Sequence, residues 1–318
     1  MEKARVRRIL VEQARAARRP GWLEFWRRFR RNKMAVVGLF IAGLMFFTGI
    51  FAPWLAPYSY RETDLDAVEQ MPSWKHPLGT DELGRDQLSR LIWGARTAVI
   101  IAPAATLVGL ILGLLMGALA GYLGGRVDAL IMRLADLLFA FPGLLFALLV
   151  AATIQPRVEA WLRAINGLEG FVKAGYAQVL VVIIALSAVG WPGMARLVRG
   201  QILLLKEEQF VEAAVAIGAS PWRIIRRHLL PNALAPIVVA VSMGMGGAIL
   251  AEATLSFFGI GIRPPTPSWG SMIYDNYSFW RHPAAPVLLW VPGLVVASLV
   301  FAFNFIGDGL NEALRPGS

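Results

Sequence analysis

The sequence predicts an all-α, polytopic membrane protein with about six transmembrane helices. Of its 318 residues, 57% are hydrophobic and only 16% are charged, which is too apolar for a typical soluble domain and too weakly charged for a disordered chain. The apolar residues are gathered into runs long enough for spans, since a helix needs about 20 apolar residues to cross the hydrocarbon core. Bare backbone polar groups are not tolerated in lipid, so these runs should be helical. The runs cover residues 34–56, 97–123, 129–154, 177–195, 233–258 and 287–306.

A basic leader, residues 1–33, precedes the first span, residues 34–56. It holds 12 of the 31 Lys and Arg residues, a pattern typical of a cytoplasmic flank near anionic lipid. The apolar run exceeds the about 7–15 residues of a signal-peptide core, so we interpret it as a retained span. The leader places the N-terminus in the cytoplasm. The later loops carry Lys and Arg in nearly equal numbers on the two sides, so the orientation rests on the leader.

The rest of the chain divides into an extracytoplasmic segment (57–96), a transmembrane core (97–307) and a cytoplasmic tail (308–318). In the first outside segment, Thr80 followed by acidic residues predicts an N-cap and the start of a surface helix. The second outside segment, residues 155–176, predicts a short amphipathic helix. Its apolar side comprises Val158, Trp161, Leu162 and Ile165.

Four glycines recur at every fourth position of the second span and share one helix face. Small residues on such a face let another helix approach closely. The stripe therefore indicates either packing within the chain or contact with a partner subunit. Its members are Gly109, Gly113, Gly117 and Gly121.

Two carboxylates fall inside apolar runs, where ionisable groups are costly and often functional. Asp136 lies close to Arg133 on the same helical side, so we expect a local ion pair. Glu252 has no cation nearby in the sequence. We interpret it as either a pathway residue or a hydrogen-bonded structural group.

The chemistry of an enzyme is missing from the sequence. There is no cysteine, and the three histidines, His76, His228 and His282, are far apart, so no metal site is expected. No lysine follows a glycine, which excludes a P-loop, and no other catalytic or cofactor motif is present. The net charge of +10 is concentrated in the leader and does not indicate nucleic-acid binding. Any nucleotide that drives this protein must be bound by another chain.

The most informative segment is the loop between the fourth and fifth spans, residues 206–232, which we call the inner loop. Its first half has helical periodicity, with Phe210, Val211, Ala214, Val215 and Gly218 on one side. Gly218 is a favourable helix end because glycine accepts left-handed backbone angles.

A second helix is predicted directly after Gly218. Ser220 is placed to cap it and Pro221 occupies its first position, where a missing N–H is harmless. Trp222, Ile225 and Leu229 are expected on one face, and Pro231 is expected to interrupt the helix before the fifth span. Such a helix-turn-helix could rest on lipid or dock to a protein; the acidic first helix favours docking, because anionic lipid would repel it.

The inner loop resembles the cytoplasmic loop of permease subunits of bacterial ABC importers. The family pattern is Glu-Ala-Ala, three residues, Gly, nine residues and Ile-x-Leu-Pro. This chain has Glu212, Ala213 and Ala214, then Gly218, then Leu230 and Pro231, with His228 in place of the Ile.

The resemblance extends over most of the chain. HPLGTDELGRDQLSRLIWGART (76–97), FAPWLAPY (51–58) and LSFFGIGIRPPTPSWGSMI (255–273) are similar to the dipeptide/oligopeptide permease family, particularly its C-type subunit. LLFAFPGLL (137–145) and NFIGDGLNEALRP (304–316) are similar to it as well. The outside insert around Arg157–Lys173 is longer than the family usually carries.

The resemblance implies a type I ABC importer permease in the bacterial cytoplasmic (inner) membrane. It would pair with a second, homologous permease subunit, two ABC ATPase subunits that bind the ATP, and an extracytoplasmic solute-binding protein. The inner loop from Glu212 to Gly218 would seat in an ATPase, with Ser220, Pro221, Leu230 and Pro231 completing the motif. The solute would be a di- or oligopeptide.

Other functions remain open on the sequence. The same type of permease serves nickel complexes and other small solutes in this family. A self-contained channel or ion-coupled transporter would use Glu252 or Asp136 as a proton site. An intramembrane enzyme would need a nucleophile and base or a metal site, and the sequence offers no such set.

Overall fold

The computed structural model describes residues 22–277 and 286–314. Within them six helical segments are long and apolar enough to cross a membrane, which confirms the predicted all-α polytopic fold. These spans are Lys33–Ile50, Gln87–Leu123, Gly143–Ala164, Tyr176–Lys206, Pro221–Phe257 and Val287–Leu314.

We number the helices in chain order: α1 (Trp22–Arg31), α2 (Lys33–Ile50), α3 (Ala52–Leu55), α4 (Gln87–Leu123), α5 (Gly125–Phe139), α6 (Gly143–Ala164), α7 (Glu169–Lys173), α8 (Tyr176–Lys206), α9 (Gln209–Ala216), α10 (Pro221–Ile224), α11 (Leu230–Phe257), α12 (Trp269–Asn276) and α13 (Val291–Leu314). A 3₁₀ turn covers Leu65–Ala67, and single π-helical turns at Ile225–Leu229 and Pro286–Trp290 precede α11 and α13. The first 21 residues of the basic leader, and His282, lie outside the described residues.

The predicted third span, residues 129–154, is wrong as a single helix. It is divided into α5 and α6 at Ala140–Pro142. A proline disfavours helical angles in the residue before it, so Phe141 cannot continue α5, and Pro142 instead stands at the N-cap of α6. The separate amphipathic helix predicted around Trp161 is wrong as well, because α6 continues to Ala164.

The helix predicted to start at Thr80 is also wrong. Thr80 forms an isolated antiparallel bridge with Asp86, and α4 begins at Gln87 with the Asp86 carboxylate accepting a 2.7 Å hydrogen bond from the Ser89 amide. Gly84 ends any helix that Thr80 could start, because its φ is +68° and a Cβ there would lie 1.8 Å from the Asp64 carbonyl oxygen. The Thr80 hydroxyl instead donates to the Ala67 carbonyl and accepts from the Gln70 amide.

A buried ion cluster ties the segment between spans one and two to the loop between spans five and six. The Asp81 carboxylate accepts hydrogen bonds from Arg85 Nε, at 2.8 Å, and from Arg90. Arg90 also donates to Asp275 of α12 at 2.8 Å. Arg90 and Asp81 are each 1% exposed. Removing one partner of such a pair leaves a buried charge, so the cluster fixes the start of α4 to α12.

The α4 helix is central to the bundle: it packs along α8 and also contacts α2 and α11. The glycine stripe faces α8 within the chain. A Cβ added at Gly117 would lie 2.5 Å from the Ala195 carbonyl oxygen, and one at Gly121 would lie 2.8 Å from Ile202 Cβ. At Gly113 the nearest atoms belong to Met194, also at 2.5 Å. At Gly109 the nearest atom is 3.7 Å away, so the two helices diverge there.

This close approach predicts opposite outcomes for two substitutions in one stripe. Gly117→Ala forces α4 away from the α8 backbone and should lower stability, since overpacking typically costs about 1–3 kcal/mol. Gly109→Ala keeps ordinary contact distances and should be tolerated. Thermal unfolding of the two purified full-length variants measures the difference. Equal melting temperatures would contradict the packing described here.

Candidate functional site

The inner loop folds as two helices joined by a turn at Gly218. The first, α9, ends where Gly218 adopts φ +76°, and the Ala219 amide donates to the Ala214 carbonyl at 3.0 Å. That bond closes the helix end in the manner common for glycine. Nothing lies within 4 Å of a Cβ placed on Gly218, so its left-handed angle, and not crowding, favours glycine there.

The second helix departs from the sequence prediction in two respects. Ser220 stands at the N-cap of α10 and Pro221 at the first position, but the Ser220 hydroxyl makes no capping bond; its carbonyl accepts from the Ile224 amide at 3.0 Å. Pro231 does not interrupt the helix. The π-helical turn at Ile225–Leu229, just before Pro231, accommodates the N–H that proline lacks. The chain therefore runs as one span from Pro221 to Phe257.

The inner face of the loop is buried against the helix bundle. Val211 and Ala214 of α9 are buried, as are Ile224, Ile225 and Leu229 of the second helix. They form one cluster with residues of α4, α8 and α11: Ala118, Val198, Ile202, Ala233 and Ile237. Trp222, predicted on this face, is exposed, and Ile224 takes its place because the π turn rotates the helix. The loop is therefore fixed to the ends of three spans.

The outer face of the loop is apolar and exposed. Ile217 is 85% exposed and Val215 is 56% exposed, and Trp222 at the start of the second helix is exposed as well. The motif residues Glu212 and Ala213 are exposed as well. Single exposed apolar residues are ordinary, but a group on a rigid, non-spanning turn is typical of a protein interaction site.

His228, which replaces the Ile of the family pattern, lies between the two helices of the loop. Its ring centroid is 6.4 Å from that of Phe210 in α9. The imidazole thus supplies the bulk that packs the second helix against the first. His228 and the other described histidine, His76, belong to no group able to hold a metal ion, and the described residues contain none.

Polar contacts join the spans next to the loop. Lys206, at the end of α8, donates from Nζ to the Tyr122 carbonyl of α4 at 2.9 Å. Arg199 donates two hydrogen bonds, of 2.5 and 2.6 Å, to the Asp128 carboxylate of α5. These bonds lower the pKa of the Asp128 carboxyl below its usual range.

The expected pair between Asp136 and Arg133 is wrong. Asp136 pairs with Arg196 of α8, whose guanidinium also lies 4.2 Å from the centre of the Phe139 ring. The predicted pair took account only of neighbours on the same helix, whereas the break at Pro142 places α5 against α8.

Glu252 is buried within α11 and hydrogen-bonded. It accepts a 2.8 Å bond from Ser256 Oγ, which in turn accepts a 2.9 Å bond from the Ile262 amide. The carboxylate thereby fixes the loop that follows the fifth span. It does not line the main cavity described next.

A cavity of about 460 Å³ lies between four spans. Its walls come from α4, α6, α8 and α11, and Gly109 and Thr106 of α4 are among them. Sequence reasoning missed its other glycines, although pairs three residues apart in two spans were a visible signal. They are Gly143, Gly190, Gly193, Gly244 and Gly247.

Two family models match the chain. Residues 109–317 match the model described as binding-protein-dependent transport system inner membrane component. Residues 22–72 match the N-terminal TM domain of oligopeptide transport permease C.

Curated relatives match nearly the whole chain. The glutathione transport system permease protein GsiD of Escherichia coli O6:K15:H31 (strain 536 / UPEC) is 41% identical over 299 residues, which are 94% of this chain and 91% of the relative. GsiD of Shigella flexneri serotype 5b (strain 8401) is 42% identical over the same shares.

Among solved structures, an inward-facing form of the MetNI methionine ABC transporter matches with a TM-score of 0.51 and 20% identity. The match covers 70% of this chain and 96% of that one, and it supports the fold alone. The two family-model matches and the curated relatives together show that this chain belongs to the binding-protein-dependent transport system inner membrane component family. Within that family it is a multi-pass ABC importer permease of the peptide type.

Proposed function

We propose that this permease subunit moves di- or oligopeptides across the cytoplasmic membrane and is driven by separate ATPase subunits that grip its inner loop. The observation that carries the proposal is that one face of the loop is buried in the bundle, while its apolar tip (Val215, Ile217 and Trp222) is exposed. A rigid element fixed to several spans can transmit a push to all of them, as alternating access by rigid helix groups requires.

The partners follow from this mechanism. Two ATPase subunits bind ATP, and their closure moves the inner loops of this chain and of a second, homologous permease subunit. An extracytoplasmic binding protein delivers the solute. Glu212 to Gly218 forms the contact with the ATPase, while Ser220, Pro221, Leu230 and Pro231 hold the second helix at its angle. This chain itself then needs no cofactor and catalyses no bond cleavage.

The orientation puts the leader, the inner loop and the end of α13 in the cytoplasm. Helix α1, the inner loop and the end of α13 lie on one side of the bundle: Asn32 donates to Glu312 at 3.1 Å, Phe29 packs with Ala313, and Trp22 lines a groove with Pro231 and Asn232. The density of Lys and Arg in the leader supports the cytoplasmic assignment for that side.

Peptides are the solute class that the relatives favour. GsiD is named as a permease for glutathione, which is a tripeptide, and the second family model is named for oligopeptide transport. Nickel complexes and other small solutes remain the alternative within the same permease type. The solute bound by the partner binding protein decides between them.

Ile217→Asp tests the ATPase contact. The side chain is exposed, so the fold should be unaffected. A charge in the centre of an apolar contact should weaken the free energy of binding by about 2 kcal/mol or more, as at an interface hot spot. The affinity of the ATPase subunits for the permease should then fall by about 30-fold, and ATP-dependent peptide uptake should fall with it. Binding is measured with purified subunits and uptake in proteoliposomes.

Leu65→Asp is the matched control for that substitution. Leu65 is 75% exposed and lies in the outside segment, so the same change there should leave ATPase binding intact. Unchanged ATPase affinity and uptake in the Ile217→Asp protein would show that the loop tip is not the contact.

Glu252→Gln separates ATP-driven import from ion coupling. A glutamine carbonyl can still accept the Ser256 hydrogen bond but cannot carry a proton, so uptake by ATP-loaded proteoliposomes should persist, also when a protonophore is present. Glu252→Leu removes the acceptor and should destabilise the chain by about 1–3 kcal/mol. Loss of uptake in the Gln variant, with collapse of wild-type uptake under the protonophore, would favour a proton-coupled transporter instead.

A further inference from the structure

Helix α1 is a basic, aromatic helix that directly precedes the first span. Its inward side stacks aromatic rings, with centroids 5.6 Å apart for Trp22 and Phe25 and 6.2 Å apart for Phe25 and Phe29. Phe29 is buried in a small cluster with Ala35 and Ala313. The helix is therefore fixed against α2 and α13 at the membrane boundary.

The outer side of α1 forms a cationic recess of about 310 Å³. Its lining consists of Leu23 and Trp26 together with Arg27, Arg30 and Arg31. All three arginines are exposed. Glu24 is not among the lining residues, and it accepts a 2.6 Å hydrogen bond from Arg28. Three arginines thus share this side of α1 with exposed apolar side chains.

The adjoining side of α1, where Trp22 lies one helical turn from Trp26, covers an apolar groove of about 410 Å³. Trp22 and Phe25 form one wall, and the first turns of α11 and the last turns of α13 form the others. Those residues are Pro231, Asn232, Leu234, Ala235, Val238, Leu310 and Leu314. Leu234 and Val238 lie on a span and are exposed, so the groove is open on the outside of the helix bundle.

We propose that α1 is a binding site for an anionic phospholipid, which places its phosphate on the arginine recess and an acyl chain in the groove. Guanidinium groups bind phosphate with paired, charge-assisted hydrogen bonds. Basic pockets beside spans are a known type of site for anionic headgroups, and exposed tryptophans favour the same interface.

The charge of the leader argues against the nearest alternative occupant. Residues 1–21 carry seven Lys and Arg residues against two Glu, so they are repelled by the recess. A soluble partner is disfavoured by the position of the groove, whose opening at Leu234 and Val238 is at the depth of the spans. An anionic lipid matches both the charge of the recess and the apolar groove.

The test measures lipid retained by the full-length chain, purified with the subunits that copurify with it. The protein is reconstituted in vesicles of equal phosphatidylglycerol and phosphatidylcholine and re-extracted in mild detergent, and bound lipid is quantified by mass spectrometry. Wild-type protein should be enriched in phosphatidylglycerol. Replacing Arg27, Arg30 and Arg31 by Gln should lower the enrichment by about fivefold or more, since one cation near an anionic surface contributes about that factor.

Three further variants complete the test. Replacing the same arginines by Lys should preserve most of the enrichment, and a matched removal of three exposed cations on the opposite side (Arg61→Gln, Arg157→Gln and Lys173→Gln) should not change it. Ala235→Phe fills the groove and should reduce the number of retained lipids. The proposal is overturned if wild-type protein shows no enrichment, if the Gln variant keeps it, if both triple variants lose it equally, or if Ala235→Phe retains as much lipid as wild type.

Discussion

The burial of five apolar side chains of the inner loop against α4, α8 and α11 is the contact on which the proposed mechanism depends. Val211, Ala214, Ile224, Ile225 and Leu229 leave little freedom for the loop to move separately from the spans. Burying one Val, Leu or Ile side chain contributes about 1.5–3 kcal/mol, so detaching the whole face would be costly. A force applied at the exposed tip must therefore displace the spans and not merely bend the loop.

The spans that receive this force are themselves tightly joined. The glycine stripe brings α4 onto the backbone of α8 at Gly117, and Lys206 and Arg199 add polar bonds near the loop. On the opposite side of the bundle, the ion cluster of Asp81, Arg90 and Asp275 fixes α12 to the start of α4. Between these two ends lies the glycine-lined cavity, where the helices diverge at Gly109.

The sequence was sufficient for the fold class, because length and hydropathy alone decide whether a helix can span lipid. It was also sufficient for the turn at Gly218, which depends on the backbone freedom of one residue. It failed where distant groups decide. Arg196 replaced Arg133 as the partner of Asp136 because Pro142 redirects the chain, and Ile224 replaced Trp222 because a π turn rotates the helix. The cavity required four spans to be placed relative to one another, which no local pattern specifies.

Site-specific photo-crosslinking tests the central claim most directly. The exposed residue Ile217 would be replaced by a photoreactive amino acid in the full-length chain, with Leu65 replaced in the same way as the control, and membranes containing the partner subunits would be irradiated. The account predicts an adduct between position 217 and the ATPase subunit, and none from position 65. An adduct of position 217 with lipid alone, while the ATPase remains bound, would contradict it.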